Sequence, residues 1–180
     1  MKRLLFSMLL LGFAAQAWAA DPASTGFDSS FVQTRKLPGF STPLVSHGVM
    51  RFDPAHGFHW EITDPYRYVF DMNGDAASET LPDGTSRKLD PAQTPWLAAV
   101  QHIIVTSLSG DREGLARYFD INVAPLAKGE RVELKPKPGP MAEAILAIRV
   151  TESAPGHPLE IAIDEISGDR MDIRFTSSAP

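Results

Sequence analysis

Apolar and polar residues alternate along much of this chain, and the longest such stretch, from Gly57 to Gly74, reads GFHWEITDPYRYVFDMNG. Phe58, Trp60 and Ile62 fall on one face of an extended strand, with His59, Glu61 and Thr63 on the other. After a break at Asp64-Pro65 the pattern resumes, with Tyr66, Tyr68, Phe70 and Met72 against Arg67, Val69 and Asp71. It ends at Asn73-Gly74, a favoured turn dipeptide, so the stretch predicts a hairpin with one strongly apolar face. Upstream, residues 21–30 are small and polar and are expected to be mobile or to form a turn or two of helix. Regular structure is expected from Phe31 to Arg35, with a turn at Leu37-Pro38-Gly39. Ser46 to Phe52 forms a second strand with Met50 and Phe52 on its apolar side, and Asp53-Pro54 turns it into the hairpin.

Downstream of the hairpin, Asp75 to Asp90 is polar and supports only a weak hairpin around Asp83-Gly84. Thr94-Pro95 opens a long helix, an N-cap followed by proline at the first helical position. Trp96, Leu97, Val100, Ile103, Ile104 and Leu108 follow at helical spacing, and Gly110 ends the run. Asp111 caps a shorter helix through Tyr118, with Leu115 and Phe119 as its apolar contacts. Strands return with Val132 and Leu134, and Met141 to Ile145 makes a helical turn. Three further alternating runs follow: Leu146, Ile148 and Val150; Leu159, Ile161 and Ile163; Met171, Ile173 and Phe175. The turns between them are at Pro155-Gly156 and Ser167-Gly168-Asp169.

The first residues fit a different role. Lys2 and Arg3, the apolar run from Leu4 to Ala15 and Ala17-Trp18-Ala19 have the form of a secretory signal peptide (residues 1–19), too short in its apolar part to span a bilayer. Export is therefore expected, most economically to a bacterial periplasm, with residues 20–180 as one domain. The chain has no cysteine, which excludes both a disulfide framework and a lipid-modified N-terminal cysteine. Loss of Lys2 and Arg3 takes Lys+Arg from 17 to 15 against 22 Asp+Glu, moving the net charge from −5 to −7. An acidic chain without a basic run is not expected to bind nucleic acid.

Geometry limits the architecture. Roughly seven to nine strands at about 4.8 Å spacing would span about 40 Å if laid flat, while one helix covers a strip of about 10 Å. Either the sheet curls on itself or it leaves a lined apolar cavity. A two-sheet sandwich is the competing arrangement, but the amphipathic helix in mid-chain needs a sheet face to lie on, which favours the curved sheet.

Candidate chemistry is sparse. The sequence contains no Gly-x-Ser-x-Gly elbow, His-Glu-x-x-His, P-loop or dinucleotide fingerprint, so no catalytic residue and no cofactor are expected. Asp71, Asn73 and Asp75 have the start of a calcium-loop spacing, but Ala76 and Pro82 stand where that loop needs glycine and glutamate. His56 and His59 with Asp53 and Glu61 form the one metal-like cluster. Alternation puts His59 and Glu61 on the solvated face, so no metal is expected. Asp164 and Glu165 point to opposite faces and make no acid/base pair.

Several of these residues, in this order, resemble the periplasmic outer-membrane lipoprotein carrier family, LolA. They are Phe31-x-Gln33, Gly48-x-x-x-Phe52, Phe58-x-Trp60-Glu61 followed by Pro65, the turn at Asn73-Gly74, the mid-chain helix, Leu134-x-Pro136-Lys137 and the closing hairpin from Ile161 to Phe175. The resemblance implies a mainly β, α+β fold: a single curved antiparallel sheet forming an unclosed barrel, lidded by one long and one or two short helices. It also implies a cavity for the acyl chains of a lipoprotein or other lipid. Partners would be an inner-membrane release transporter and an outer-membrane receptor, with the carrier itself a monomer. The cavity-lining candidates are Phe31, Met50, Phe52, Phe58, Trp60, Ile62, Tyr68, Phe70, Trp96, Ile148, Ile161 and Ile163, each of which ordinary core packing explains equally well. Asp53-Pro54 stands where the family has Arg-Pro, which makes Asp53 the gating candidate. Only about a dozen residues would precede Phe31 after cleavage, so the family's N-terminal helix is short or missing. Both departures point to a divergent branch carrying another lipid.

Overall fold

In the computed structural model, residues 26–53, 56–74, 76–90 and 103–177 are described. They form one antiparallel sheet of eleven strands: β1 (Phe27–Lys36), β2 (Leu44–Asp53), β3 (Gly57–Asp64), β4 (Tyr68–Asn73), β5 (Ala76–Thr80), β6 (Ser86–Leu89), β7 (Phe119–Pro125), β8 (Glu130–Pro136), β9 (Ile145–Ala154), β10 (His157–Glu165) and β11 (Arg170–Ser177). The order across the sheet is β6-β5-β4-β3-β2-β1-β11-β10-β9-β8-β7. Two meanders, β1–β6 and β7–β11, are thus joined where the first strand pairs with the last, with Phe31 opposite Phe175 and Gln33 opposite Ile173. The sheet is continuous and unclosed, which sets the sandwich aside.

β6 and β7 lie at opposite edges of the sheet, joined by a connection whose described part begins at residue 103. Residues 103–108 of that connection are helical (α1) and are followed by α2 (Arg112–Leu115), whose N-cap Asp111 accepts from the Gly114 N–H. Leu108 and Ile104 pack on the apolar cluster of the first meander, and Ile103 and Leu115 on that of the second. Gly156, in the β9–β10 turn with φ +80°, lets the backbone approach α1 closely: a Cβ there would lie 2.5 Å from the Leu108 carbonyl oxygen. The expected helix start from Thr94 to residue 102, Trp96 included, lies outside the described residues.

The structure changes several expectations. β1 begins at Phe27, within the stretch expected to be mobile, because Phe27 packs edge-on to Phe175 at 5.3 Å. The weak hairpin is a true one, β5–β6, with Gly84 at φ +84°. Phe119, expected as an apolar contact of the short helix, is buried in one cluster with Leu115 but also opens β7, a strand that was not expected. Tyr66 leaves the alternation: it follows the cis Asp64–Pro65 peptide and is exposed. Val69 lies on the expected outer face yet is buried. Leu146 and Leu159 are exposed, because register shifts near Asp164/Glu165 and Pro158/Glu160 carry them out of the apolar rows.

Gly48 explains how the first meander packs. It sits opposite Phe31 on one side and Ile62 on the other, next to a register shift at His47/Gly48. With no side chain there, the Phe31 ring lies over β2 and stacks on Trp60 at a centroid distance of 3.9 Å and an angle of 24°. At the other end, Arg112 of α2 reaches Glu130 of β8 at 2.5 Å and also bonds Glu152 of β9, which is buried. Burial raises the Glu152 pKa, with the Arg112 charge acting against that and Glu130 adding to it.

Gly48→Ala would place a Cβ 2.1 Å from the Glu61 carbonyl oxygen and 2.5 Å from the Phe31 ring. We expect a loss of about 1–3 kcal/mol, the usual range for overpacking, read as a lower urea midpoint; an unchanged midpoint would show that the ring seat is dispensable. Arg112→Met leaves Glu152 and Glu130 together without their cation. Its cost should be roughly 2–3 kcal/mol at neutral pH, below the range for fully buried pairs because Arg112 is 28% exposed. That cost should shrink as pH falls, since protonating a carboxylate whose folded pKa is raised relieves the repulsion. A penalty that grows toward acid would contradict the assignment.

Candidate functional site

Cross-strand register sorts the inner face into rows. One runs Phe27, Phe52, Phe58, Met72, Ala77, Leu89; the next runs Met50, Trp60, Phe70, Glu79, Arg87. In the second meander, Ile173, Ile161, Val150, Val132 and Val123 form one row, and Met171, Ile163, Ile148, Leu134 and Ile121 another. The inner face therefore has an aromatic and methionine half and an aliphatic half, bridged by α1.

Burial divides these residues into a packed floor and a half-open belt. Phe31, Met50, Phe52, Phe58, Met72 and Ile173 are buried. Trp60, Ile62, Phe70, Leu89, Ile161, Met171 and Phe175 are only partly covered and pack on that floor. At the end of β1–β4 a cleft of about 610 Å³ opens, lined by Phe27, Phe52, Phe58 and Met72 with Asp28, Arg51, Asp53, His56, His59, Asp71 and Asn73 at its polar parts. Its size lies within the range of small-molecule sites.

Of the residues singled out in the sequence, Phe31, Met50, Phe52 and Phe58 thus belong to the floor, and Trp60, Ile62, Phe70 and Ile161 to the belt. Ile148 packs in the second cluster, and Ile163 is half-buried beside it in the same row. Asp53 lies at the cleft, where its carboxylate Oδ1 accepts from the His56 N–H at 3.1 Å and pairs with the His56 ring at 3.1 Å, holding the β2–β3 turn. His59 Nε2 lies 3.5 Å from Glu61. They belong to an outer-face chain in which His59 Nδ1 lies 2.6 Å from Asp71 and Arg67 donates to Glu61 at 2.8 Å. Among the described residues no group of three His, Asp or Glu side chains is placed to hold a metal ion. A second concavity of about 430 Å³ on the outer face of β8–β11 is polar, with Arg149, Arg170 and Arg174 paired to Asp164, Asp172 and Glu160.

Sequence reasoning missed the polar end of the inner face. Glu79 and Arg87 sit in the stretch read as merely polar, yet register places them in the row of Trp60 and Phe70. Glu79 is buried; its carboxylate accepts from the Tyr68 hydroxyl at 3.1 Å and from Arg87 Nε. The signal that could have found them is the alternation of Ala77 and Glu79 in step with Met72 and Phe70, visible only once the β4–β5 register is known. Burial, the hydrogen bond to Glu79 and the Glu79 charge push the Tyr68 pKa up to about 12, with Arg87 acting in the opposite sense.

These features define a class: an open antiparallel sheet whose inner face is apolar and only partly covered, with charged pairs at its margins. No protein-family model matches the sequence, and no curated protein matches it. Among solved structures the chain is similar to a LolA superfamily protein from Nitrosomonas europaea, at 11% identity over 86% of this chain and 85% of that one, with a TM-score of 0.44. It is also similar to the Pseudomonas aeruginosa MucA/MucB complex structure (15% identity, 86% of this chain and 53% of that one, TM-score 0.47). A structure of MucB in complex with MucA gives 12% identity, 88% and 53% coverage and a TM-score of 0.34. The chain spans about half the length of the chains matched in those two complexes. One of the similar structures is of the superfamily that the sequence motifs resemble. Among the described residues no helix is long and apolar enough to cross a membrane.

The raised Tyr68 pKa makes a spectroscopic prediction. The neutral phenol is the form the fold holds, so its stabilisation is complete below the unfolded value of 10.0 and is lost as pH rises through about 12. In a rapid pH-jump titration of phenolate absorbance, one of the three tyrosines should ionise near pH 12, and Tyr68→Phe should remove that step alone. If the late step survives in the variant, the Tyr68–Glu79 contact is wrongly assigned.

Proposed function

We propose that this chain is an exported, non-enzymatic carrier that binds the acyl chains of a lipoprotein or another lipid on its inner face, for transfer toward the outer membrane. The observation that carries the reading is the half-open belt of Trp60, Ile62, Phe70, Ile161, Met171 and Phe175, adjoining the cleft at Phe27, Phe52, Phe58 and Met72. A contiguous apolar surface of this kind is a liability on a free monomer and a site on a protein with an apolar ligand. The energetics suit a carrier: each buried methylene is worth about 0.8 kcal/mol, so a chain of roughly 16 carbons resists transfer through water by about 12 kcal/mol. A sheltering face lowers that barrier without any covalent step.

The carrier reading further implies a periplasmic location, a releasing transporter in the inner membrane and a receptor at the outer one. A module that holds a lipid without delivering it would share the same face; transfer of bound lipid between donor and acceptor vesicles separates the two.

Mass spectrometry of organic extracts from protein purified out of the periplasm should recover a bound lipid in about stoichiometric amount. Phe27→Asp, which puts a charge into the cleft at a half-buried position, should cut that loading at least about tenfold while the circular dichroism spectrum is kept. An empty native protein that also fails to take up added lipid would sink the proposal.

A further inference from the structure

The row Met50, Trp60, Phe70 runs to the β5–β6 edge of the inner face, where it ends in Glu79 and Arg87. Glu79 is 11% exposed in its side chain and Arg87 is 63% exposed, so from the solvent side the guanidinium is the nearer charge. Both carboxylate oxygens of Glu79 are engaged, one by the Tyr68 hydroxyl and the other by Arg87 Nε. Only Nε of Arg87 is used. Its two terminal nitrogens have no partner among the described residues, and the buried Glu79 fixes the direction in which they point. A guanidinium oriented this way offers parallel N–H donors at a spacing that matches two oxygens of a carboxylate or phosphate.

We infer that Arg87, oriented by Glu79 and Tyr68, is the headgroup subsite of the inner face. It would receive the anionic oxygen-rich head, carboxylate or phosphate, of an amphiphile whose single chain lies along Phe70 and Trp60. The inference rests on the lipid-binding reading and adds to it a ligand class: anionic single-chain amphiphiles in preference to neutral ones of equal length. The apolar row supplies most of the affinity, and Arg87 the choice of head. Glu79 is a positioning residue, since its own acceptors are already filled.

The test measures equilibrium binding of oleate, oleyl phosphate and oleyl alcohol, each below its aggregation concentration, to the intact mature protein. Acetate and inorganic phosphate serve as headgroups without a tail. The wild type should bind both anions about tenfold or more tighter than the alcohol, the discrimination of one charge-assisted contact. Acetate and inorganic phosphate should not bind measurably. Arg87→Gln should bring the anions down to the level of the alcohol and leave alcohol binding unchanged, whereas Arg174→Gln, on the outer face, should change none of the three. Arg87→Lys, which keeps the charge and loses the fork, should fall between and serves if Arg87→Gln does not fold. Anions and alcohol binding equally to the wild type, or an anion preference that survives Arg87→Gln, overturns the inference while leaving the lipid reading intact. If the wild type binds none of the oleyl compounds, both fall together. Tight binding of the tail-less anions also overturns it, because the site would then be one for free anions.

Discussion

β1 hydrogen-bonds to β2 on one side and to β11 on the other, and the second pairing brings together residues 147 positions apart, with Ser29 Oγ donating to the Thr176 carbonyl at 2.8 Å. Everything else depends on that closure. Without it the chain is two meanders, each with an apolar face and no partner; with it, the face is continuous across the middle of the sheet. Arg35 fastens the far end of the same seam, pairing with Asp169 at 2.8 Å and Glu165 at 3.4 Å in the β10–β11 turn. A contact of such sequence separation forms late, because loop closure must be met before the pairing rewards it.

Placing the first and last strands at the centre puts β6 and β7 at the edges, and the described part of their connection, α1 and α2, packs on the inner face. The same face therefore serves as core and as surface. Its floor is packed with Phe31 seated on Gly48 and Trp60, while its belt is only partly buried. Ion pairs border the apolar face: Arg87 with Glu79 ends one row, and Arg112 holds Glu130 and Glu152, which sit opposite each other on β8 and β9. Each is anchored by a buried carboxylate, and each carboxylate is tolerated because its cation is held in place by the fold.

Strand alternation was legible wherever one side of a strand meets the floor and the other meets water. The hairpin from Gly57 to Gly74 apart from Tyr66 and Val69, the strand ending at Phe52 and the closing pair from Ile161 to Phe175 follow it. It failed at three kinds of place. Edge strand β7 has only Phe119 and Ile121 packed on the core, too few covered positions to mark a strand right after the short helix. Leu146 and Leu159 sit where the register shifts, and a one-residue slip moves a side chain to the other face. Glu79 and Arg87 are polar residues on the apolar side, a choice that local pattern reads as loop.

The sequence alone determined the element types, most of the turns and which residues are greasy on one side, because these follow from backbone geometry and from the two-residue period of a strand. It also carried the motif order that resembles a lipid carrier. Only the tertiary structure decided which greasy residues fill the floor and which remain open, since Phe58 and Trp60 are identical in pattern and differ in what lies above them. It likewise decided that Tyr68, Glu79 and Arg87 meet. That meeting depends on strand register between β4, β5 and β6, a long-range property no local stretch encodes.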